Sequence, residues 1–474
     1  MELVEILVFS VPFLLLSYKL WRFLDCRRNR QPYILDYECY MPKDDRKLNT
    51  KLSGEIVLRN KNLGLHEHQF LLKAIVNSGI GEETYGPKIV FDGREASPVL
   101  DDARLEMDDF LHDSIGKLFA RTGISPSEID VLVVNVSMLA TVPSLASRII
   151  NIYKMRDDVK AYNVTGMGCS ASLISINIVQ NVCASRGNVH ALVVTSESLS
   201  LNWYSGNDKS MILANSLFRT GGCAMILTNK PSLRRNAMFK LKILVRTHHG
   251  ARDDAYNCCQ QKEDDKGLLG FFLGKNLPKA ATQAFIENLN EIAPRILPIR
   301  ELLRFTIVSY FRKLCRRQSK AGAGAGAGRA GINFKTGVDH FCLHTGGKAV
   351  IDAIKQSLSL TEQEVEPARM TLHRFGNTSA SSLWYVLAYM EAKRRLKKGE
   401  RIFMISFGAG FKCNSCVWEV TRELEGENNV WKEFVHRYPL NLKELANPFL
   451  SRYGWLREKD PATFSLPHDY VVPD

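Results

Sequence analysis

Apolar positions along this chain fall into three kinds of run, and each predicts a different element. Leu3 to Leu20 is dense in Leu, Val, Ile and Phe, interrupted by Glu5 and Pro12. Its length is near the lower limit of roughly 17–25 residues for a spanning helix. The basic residues follow the run instead of preceding it. That order predicts an uncleaved anchor, with everything after Arg22 on the cytosolic side. The second kind is short and strand-patterned: 129–137, 191–195, 221–228, 338–344, 401–405 and 413–420, with 191–195 and 401–405 the most continuously apolar. Such runs predict buried strands. Helix-patterned stretches separate most of them, so the expected class is α/β. The third kind has helical period. Ile299, Leu302, Leu303, Thr306, Ile307, Tyr310 and Leu314 share one stripe, with Glu301, Arg304, Arg312 and Arg316 opposite. This pattern predicts a helix lying in a membrane interface, or an ordinary surface helix. The low-complexity run Lys320 to Arg329 that follows reads as a flexible linker.

The strands repeat. Each half contains a strand, a long connection, a glycine-led turn into a helix, and then further buried strands. In the first half the turn is Thr165-Gly-Met-Gly-Cys169-Ser, 32 positions after Ser137. In the second it is Phe375-Gly-Asn377-Thr, 33 positions after His344. Two such halves predict a pseudo-twofold, with Cys169 and Asn377 on equivalent turns facing a shared site. A cysteine at a helix start, behind glycines that tolerate positive φ, sits where backbone N–H groups favour a thiolate. A buried cysteine packed like a small hydrophobe is the plainer alternative.

Charge narrows the function. The net charge is +13, but nearly all of it comes from residues 19–30 and 295–329. Both segments adjoin apolar stretches, which points to an anionic membrane face and away from nucleic acid. The 11 cysteines have no framework spacing and read as reduced thiols. Cys258-Cys259 and Cys413-Asn-Ser-Cys416 have no second pair to complete a zinc site, so no metal is expected.

The ordered motifs Glu83-Thr-Tyr-Gly-Pro87, Asn163-Val-Thr-Gly-Met-Gly-Cys-Ser-Ala171, Leu217-Phe-Arg-Thr-Gly-Gly222, Asp339-His-Phe-Cys-Leu-His-Thr-Gly-Gly347, Leu372-His-Arg-Phe-Gly-Asn377 and Phe407-Gly-Ala-Gly-Phe411 carry a resemblance. The chain resembles the thiolase-fold condensing enzymes, and among them the plant 3-ketoacyl-CoA synthases of very-long-chain fatty acid elongation. That resemblance implies an α/β thiolase-like fold of two pseudo-repeated halves in layered sheets. The implied division is an anchor 1–25, a membrane-proximal segment 26–80, halves 81–232 and 237–423 with an amphipathic insert 295–331, and a tail 424–474. It implies catalysis by Cys169, His344 and Asn377, with His248, His340 and His373 at further family positions. Gly408 and Gly410 would belong to an oxyanion loop. The substrates would be acyl-CoA and malonyl-CoA, without cofactor or metal. A homodimer at the endoplasmic reticulum membrane, with Val182 to Val194 near its pairing edge, is implied as well, beside reductase and dehydratase subunits of an elongase. His344 would also help to keep Cys169 ionised. Two alternatives remain: a type III polyketide synthase-like enzyme, which leaves the anchor unexplained, and a non-catalytic member that scaffolds an active elongase.

Overall fold

The computed structural model describes residues 30–318, 331–426, 429–441, 447–460 and residue 464. The anchor expected at 1–25 and the Ala-Gly linker lie outside the described residues. Among the described residues, no helix is long and apolar enough to cross a membrane.

Nine strands form the central sheet: β1 (Tyr33–Cys39), β2 (Val131–Val136), β3 (Lys160–Asn163), β4 (His190–Ser196), β5 (Gly222–Thr228), β6 (Phe239–His248), β7 (His340–Leu343), β8 (Arg401–Gly408) and β9 (Lys412–Val420). Their order is β7-β8-β9-β6-β1-β5-β4-β2-β3. The repeat read from sequence is visible in that order. On one side β2 pairs parallel with β4, β4 antiparallel with β5, and β5 antiparallel with β1. On the other side β7, β8, β9 and β6 repeat the same sequence of directions. The halves join where β1 meets β6, through the pairs Tyr33↔Lys240 and Ile34↔Phe239. Strand β2, Val-Leu-Val-Val-Asn-Val, is buried at every position, as a parallel strand covered on both faces should be.

The helices that follow the two turns are α1 (Ala171–Ser185) and, in the second half, α5 (Ser382–Ala392). Helix α1 packs on β2 and β4 of its own half and on β6 and β9 of the other. Helix α5 touches β7 of its own half and β1 of the first, and is buried from Ser382 to Glu391. Each half therefore lends its central helix to a core shared with the other. Between them in the chain lie α2 (Leu277–Ile296), α3 (Ile299–Gln318) and α4 (Glu362–Phe375).

Three findings were not foreseen. Strand β1 lies within the stretch read as membrane-proximal, yet it stands at the centre of the sheet. Asp36 and Glu38 interrupt its apolar pattern and disguise it. Arg121 satisfies both, bonding Asp36 Oδ2 and Glu38 Oε2 at 2.5 Å each and the carbonyl of Tyr37 at 2.8 Å. Of the region Val182–Val194, expected near a pairing edge, residues 184–188 are exposed, but the strand β4 that follows lies inside the sheet, between β2 and β5. The free edge is β3, exposed at all four residues. Finally, the stripe on α3 divides. Leu302 packs toward the core, and Glu301 is buried, held by Arg304 at 2.7 Å and by the amide of Asn333 at 2.7 Å. Ile299, Leu303, Ile307 and Tyr310 remain exposed.

The Arg121 cluster yields a stability test. Arg121→Ala strands two carboxylates against the central strand, and its expected cost is about 2–3 kcal/mol. The check is urea unfolding of a soluble catalytic fragment or of detergent-solubilised protein. An unchanged midpoint would show that the cluster is only a solvated surface network.

Candidate active site

Cys169 occupies the turn between β3 and α1. Gly166 and Gly168 both adopt left-handed φ, +66° and +69°, which glycine takes without strain. Gly168 has a second reason to lack a side chain. A Cβ there would lie 2.5 Å from the amide nitrogen of Ala409, and one on Gly408 would lie 2.5 Å from Ser170 Oγ. The end of β8 thus presses directly on the Cys169 turn. Ser406 Oγ donates to the Cys169 carbonyl at 3.2 Å, and Asn414 Nδ2 to the Ser170 carbonyl at 3.1 Å.

The second turn is held in the same manner by the first half. Asn377 N donates to the Leu217 carbonyl at 3.1 Å, and Arg219 N to the Asn377 carbonyl at 2.9 Å. Arg219 also caps the helix Lys209–Leu217, its guanidinium bonding the carbonyls of Asn215 and Phe218. Hydroxyls at the strand ends complete the likeness. Gly168 N donates to Ser137 Oγ at 3.0 Å, and Thr345 Oγ1 donates to the Gly376 carbonyl at 3.0 Å.

The segment Asn377–Ser382 gathers three of the residues singled out from sequence. Asn377 Oδ1 accepts from Ser379 N at 2.9 Å. Ser379 Oγ donates to Cys169 Sγ at 3.4 Å and lies 3.2 Å from Glu197 Oε2. His344, at the end of β7, places Nδ1 2.6 Å from Ser382 Oγ. His344 and Asn377 are buried, and Cys169 is half-buried.

Burial sets the charge states, and here the structure departs from the thiolate expectation. Desolvation pushes the Cys169 thiol up to about 11, and the Glu197 carboxylate adds to that, while Ser379 and the Lys412 ammonium oppose it. Desolvation also lowers His344 to about 4. His344 is therefore a neutral imidazole at physiological pH and supplies no cation to ionise the thiol. The helix start alone does not overcome the cost of burying a charged sulfur.

Glu197, Ser379, Ser382 and Lys412 were not singled out from sequence. Glu197 is raised to about 7, mainly by burial, though Met138 N donates to its Oε1 at 2.6 Å. Lys412 is buried, and its ammonium bonds the Ala409 carbonyl. Its position one residue beyond the Phe407–Phe411 motif was the available signal.

The remaining expected residues divide. His248 ends β6 beside the Gly410 loop, its Nδ1 accepting from Gly250 N at 2.9 Å. His340 stands four residues back along β7, about 13 Å from His344 by strand rise, and bonds Glu400 at 2.8 Å. His373 lies on α4 against Gly81 and Tyr438, 3.4 Å from the phenol oxygen. His340 and His373 are not brought to Cys169. Gly408 and Gly410 are at the turn, Gly410 with φ +112°.

The family described as FAE1/Type III polyketide synthase-like protein matches residues 24–314. The C-terminal domain of 3-oxoacyl-[acyl-carrier-protein] synthase III matches residues 329–420. 3-Ketoacyl-CoA synthase 12 of Arabidopsis thaliana is 62% identical over 98% of this chain and 99% of its own. 3-Ketoacyl-CoA synthase 3 of the same plant is 62% identical over 96% and 97%. 3-Ketoacyl-CoA synthase 19 is 53% identical over 94% and 95%. Among solved structures, the C-terminal type III polyketide synthase domain of Steely1 from Dictyostelium shares the fold with a TM-score of 0.63. It is 16% identical and covers 82% of this chain and 99% of that one.

Two substitutions test the electrostatics in opposite directions. Glu197→Gln removes an anion facing the sulfur, so the thiol pKa should fall. Lys412→Met removes a cation, so it should rise. The sign for Glu197 is greatest above pH 7, where its carboxyl is mostly ionised. The measurement is the pH dependence of Cys169 alkylation by iodoacetamide, read by mass spectrometry. Shifts in the same direction would refute this assignment of charges.

Proposed function

The chain belongs to the 3-ketoacyl-CoA synthases and is a condensing acyltransferase, and on that premise we propose how its site carries the reaction. Cys169 is the acyl acceptor. Its sulfur, on losing its proton, attacks the thioester carbonyl of a long-chain acyl-CoA, and the CoA thiol leaves with a proton. Malonyl-CoA then loses carbon dioxide, and the electron pair of the broken C–C bond becomes an enolate. Asn377 Nδ2 and His344 Nε2 donate to the enolate oxygen. The carbanion attacks the acyl-Cys169 carbonyl, the sulfur departs, and a 3-oxoacyl-CoA longer by two carbons is released. Backbone N–H groups of the Cys169 turn and of the Gly408–Gly410 loop stabilise the tetrahedral oxyanion.

The observation that supports this reading is the convergence of Cys169, Asn377 and His344 on the 377–382 turn. Charge states support it too. In this reading Ser382 Oγ donates to Nδ1 of the neutral imidazole, 2.6 Å away, which puts the His344 proton on Nε2 as a donor. Asn377 Oδ1 is occupied by Ser379 N, which leaves its NH₂ for substrate.

The protein works on the cytosolic face of the endoplasmic reticulum membrane as a homodimer. It is held by the N-terminal apolar run and by the exposed apolar row Ile299, Leu303, Ile307 and Tyr310 of α3. The dimer forms by pairing of the exposed β3 edges, which covers that edge of the sheet. A 3-oxoacyl product must next be reduced and dehydrated, so reductase and dehydratase subunits of an elongase are the natural neighbours.

Two measurements check this. Cys169→Ser should abolish condensation, and mass spectrometry of enzyme trapped with acyl-CoA should locate the acyl group on Cys169. Asn377→Ala should lower condensation by about 10²–10³ while acyl loading survives. Acyl transfer to Cys183 or Cys342, or unaltered malonyl-CoA decarboxylation in Asn377→Ala, would refute the roles. For the membrane contact, protein lacking residues 1–29 should float with anionic liposomes at low salt. The Leu303→Asp/Ile307→Asp double variant should not. Equal recovery of both in the soluble fraction would make α3 an ordinary surface helix.

A further inference from the structure

Ser379 stands two residues after Asn377 in a conformation that favours glycine. Its φ is +55°, a left-handed value that a side chain makes costly and that persists where the surroundings demand it. The buried hydroxyl occupies a particular place. Its Oγ lies 3.4 Å from Cys169 Sγ and 3.2 Å from Glu197 Oε2. One hydroxyl carries one hydrogen, so it can donate to one of these neighbours and must accept from the other. In one arrangement the Cys169 thiol donates to Ser379, and Ser379 donates to an ionised Glu197. In the other, a protonated Glu197 donates to Ser379, and Ser379 donates to a Cys169 thiolate. The same heavy-atom positions serve both.

We propose that Glu197 accepts the Cys169 proton through the Ser379 hydroxyl when the sulfur attacks the acyl-CoA thioester. This rests on the reading of Cys169 as acyl acceptor and adds the fate of its proton. As the Sγ–H bond breaks, its electron pair forms the bond to the thioester carbon. The proton passes to Ser379 Oγ, while the Ser379 proton passes to Glu197 Oε2. The bond from that carbon to the CoA sulfur then breaks, leaving its electron pair on the CoA sulfur. The proton returns from Glu197 through Ser379 to that sulfur, and CoA leaves as the thiol. Nothing is oxidised or reduced, and no proton is exchanged with water.

The neighbouring groups are unsuited to this task. His344 Nδ1 is engaged by Ser382 Oγ. The Lys412 ammonium has no lone pair to accept a proton. A comparison with Glu106 separates the role from that of a structural carboxylate. Glu106 is also buried, and its Oε2 accepts from the hydroxyls of Ser198 and Ser200 and from Ser200 N. Glu197 is anchored by Oε1, on Met138 N at 2.6 Å, and meets the nucleophile's hydroxyl partner with Oε2. Burial raises its carboxyl to about 7, and Glu106 adds to the rise. That value suits a group which must take up a proton and give it back near neutral pH. On the sulfur side, Lys412 favours the thiolate and Glu197 opposes it. Cys259 also bears on this group of charges, but burial holds it as a thiol. His344, lowered to about 4, does not titrate near pH 7.

The test compares two reactions of Cys169 in the full chain in membranes. Alkylation by iodoacetamide reports the thiolate, and the initial rate of acyl loading from a long-chain acyl-CoA, read by mass spectrometry of the Cys169 peptide, reports the whole transfer. Glu197→Gln should leave alkylation at least as fast as before, because it removes an anion, yet slow loading about 10²-fold near neutral pH. Ser379→Gly, which suits the left-handed backbone, should slow loading similarly. In unmodified protein, loading should rise as Glu197 ionises near pH 7 and level off above it. In Glu197→Gln it should keep climbing with pH. Loading that follows alkylation in both variants, or that climbs through pH 7 without levelling in unmodified protein, would overturn the proton path and leave Cys169 as acyl acceptor. Failure of unmodified Cys169 to take an acyl group would overturn both. The pH profile of the unmodified protein decides the matter even where a variant does not fold.

Discussion

Two backbones meet at Gly168 and Gly408 with no room for a side chain between them. Everything at the site depends on that approach. It brings the end of β8 against the Cys169 turn, so that Ser406 and Asn414 of the second half hold the carbonyls of Cys169 and Ser170. The reciprocal grip, of Leu217 and Arg219 on Asn377, fixes the other turn. Neither half holds its own turn alone. A pseudo-twofold that merely doubled a domain would give two separate turns. One in which each half clamps the turn of the other gives a single enclosed space.

Enclosure has an electrostatic consequence that runs against the simplest view of a sulfur nucleophile. Removing water from around Cys169 raises its pKa, and the same burial strips the charge from His344. The resting site is close to neutral: a thiol, an imidazole, an amide, and a carboxyl at Glu197 poised near neutrality. For the proposed chemistry this is an advantage. Donors that carry no charge of their own stabilise a developing enolate without binding malonyl carboxylate so tightly that its loss is hindered. The cost falls on the first step, where the sulfur must become an anion. Lys412 is the buried cation near enough to Cys169 to ease that step.

Much of this was legible in the sequence, and the reasons differ by element. The repeat could be read because both halves are bounded by continuous apolar strands, and because the turns need glycine whatever residue does the chemistry. Strand β1 escaped because Asp36 and Glu38 make a central strand resemble a polar segment. Only Arg121, more than eighty residues away, makes that tolerable. Glu197 and Ser379 escaped for a related reason. Their importance lies in a contact across the pseudo-twofold, and local pattern carries no trace of such a contact. The thiolate expectation weighed the helix start, which is local and visible, but not desolvation, which depends on the whole enclosure. On α3 the period was readable, but which side faced the core was not, since Glu301 is buried through a bond to Asn333 on the far side of the linker.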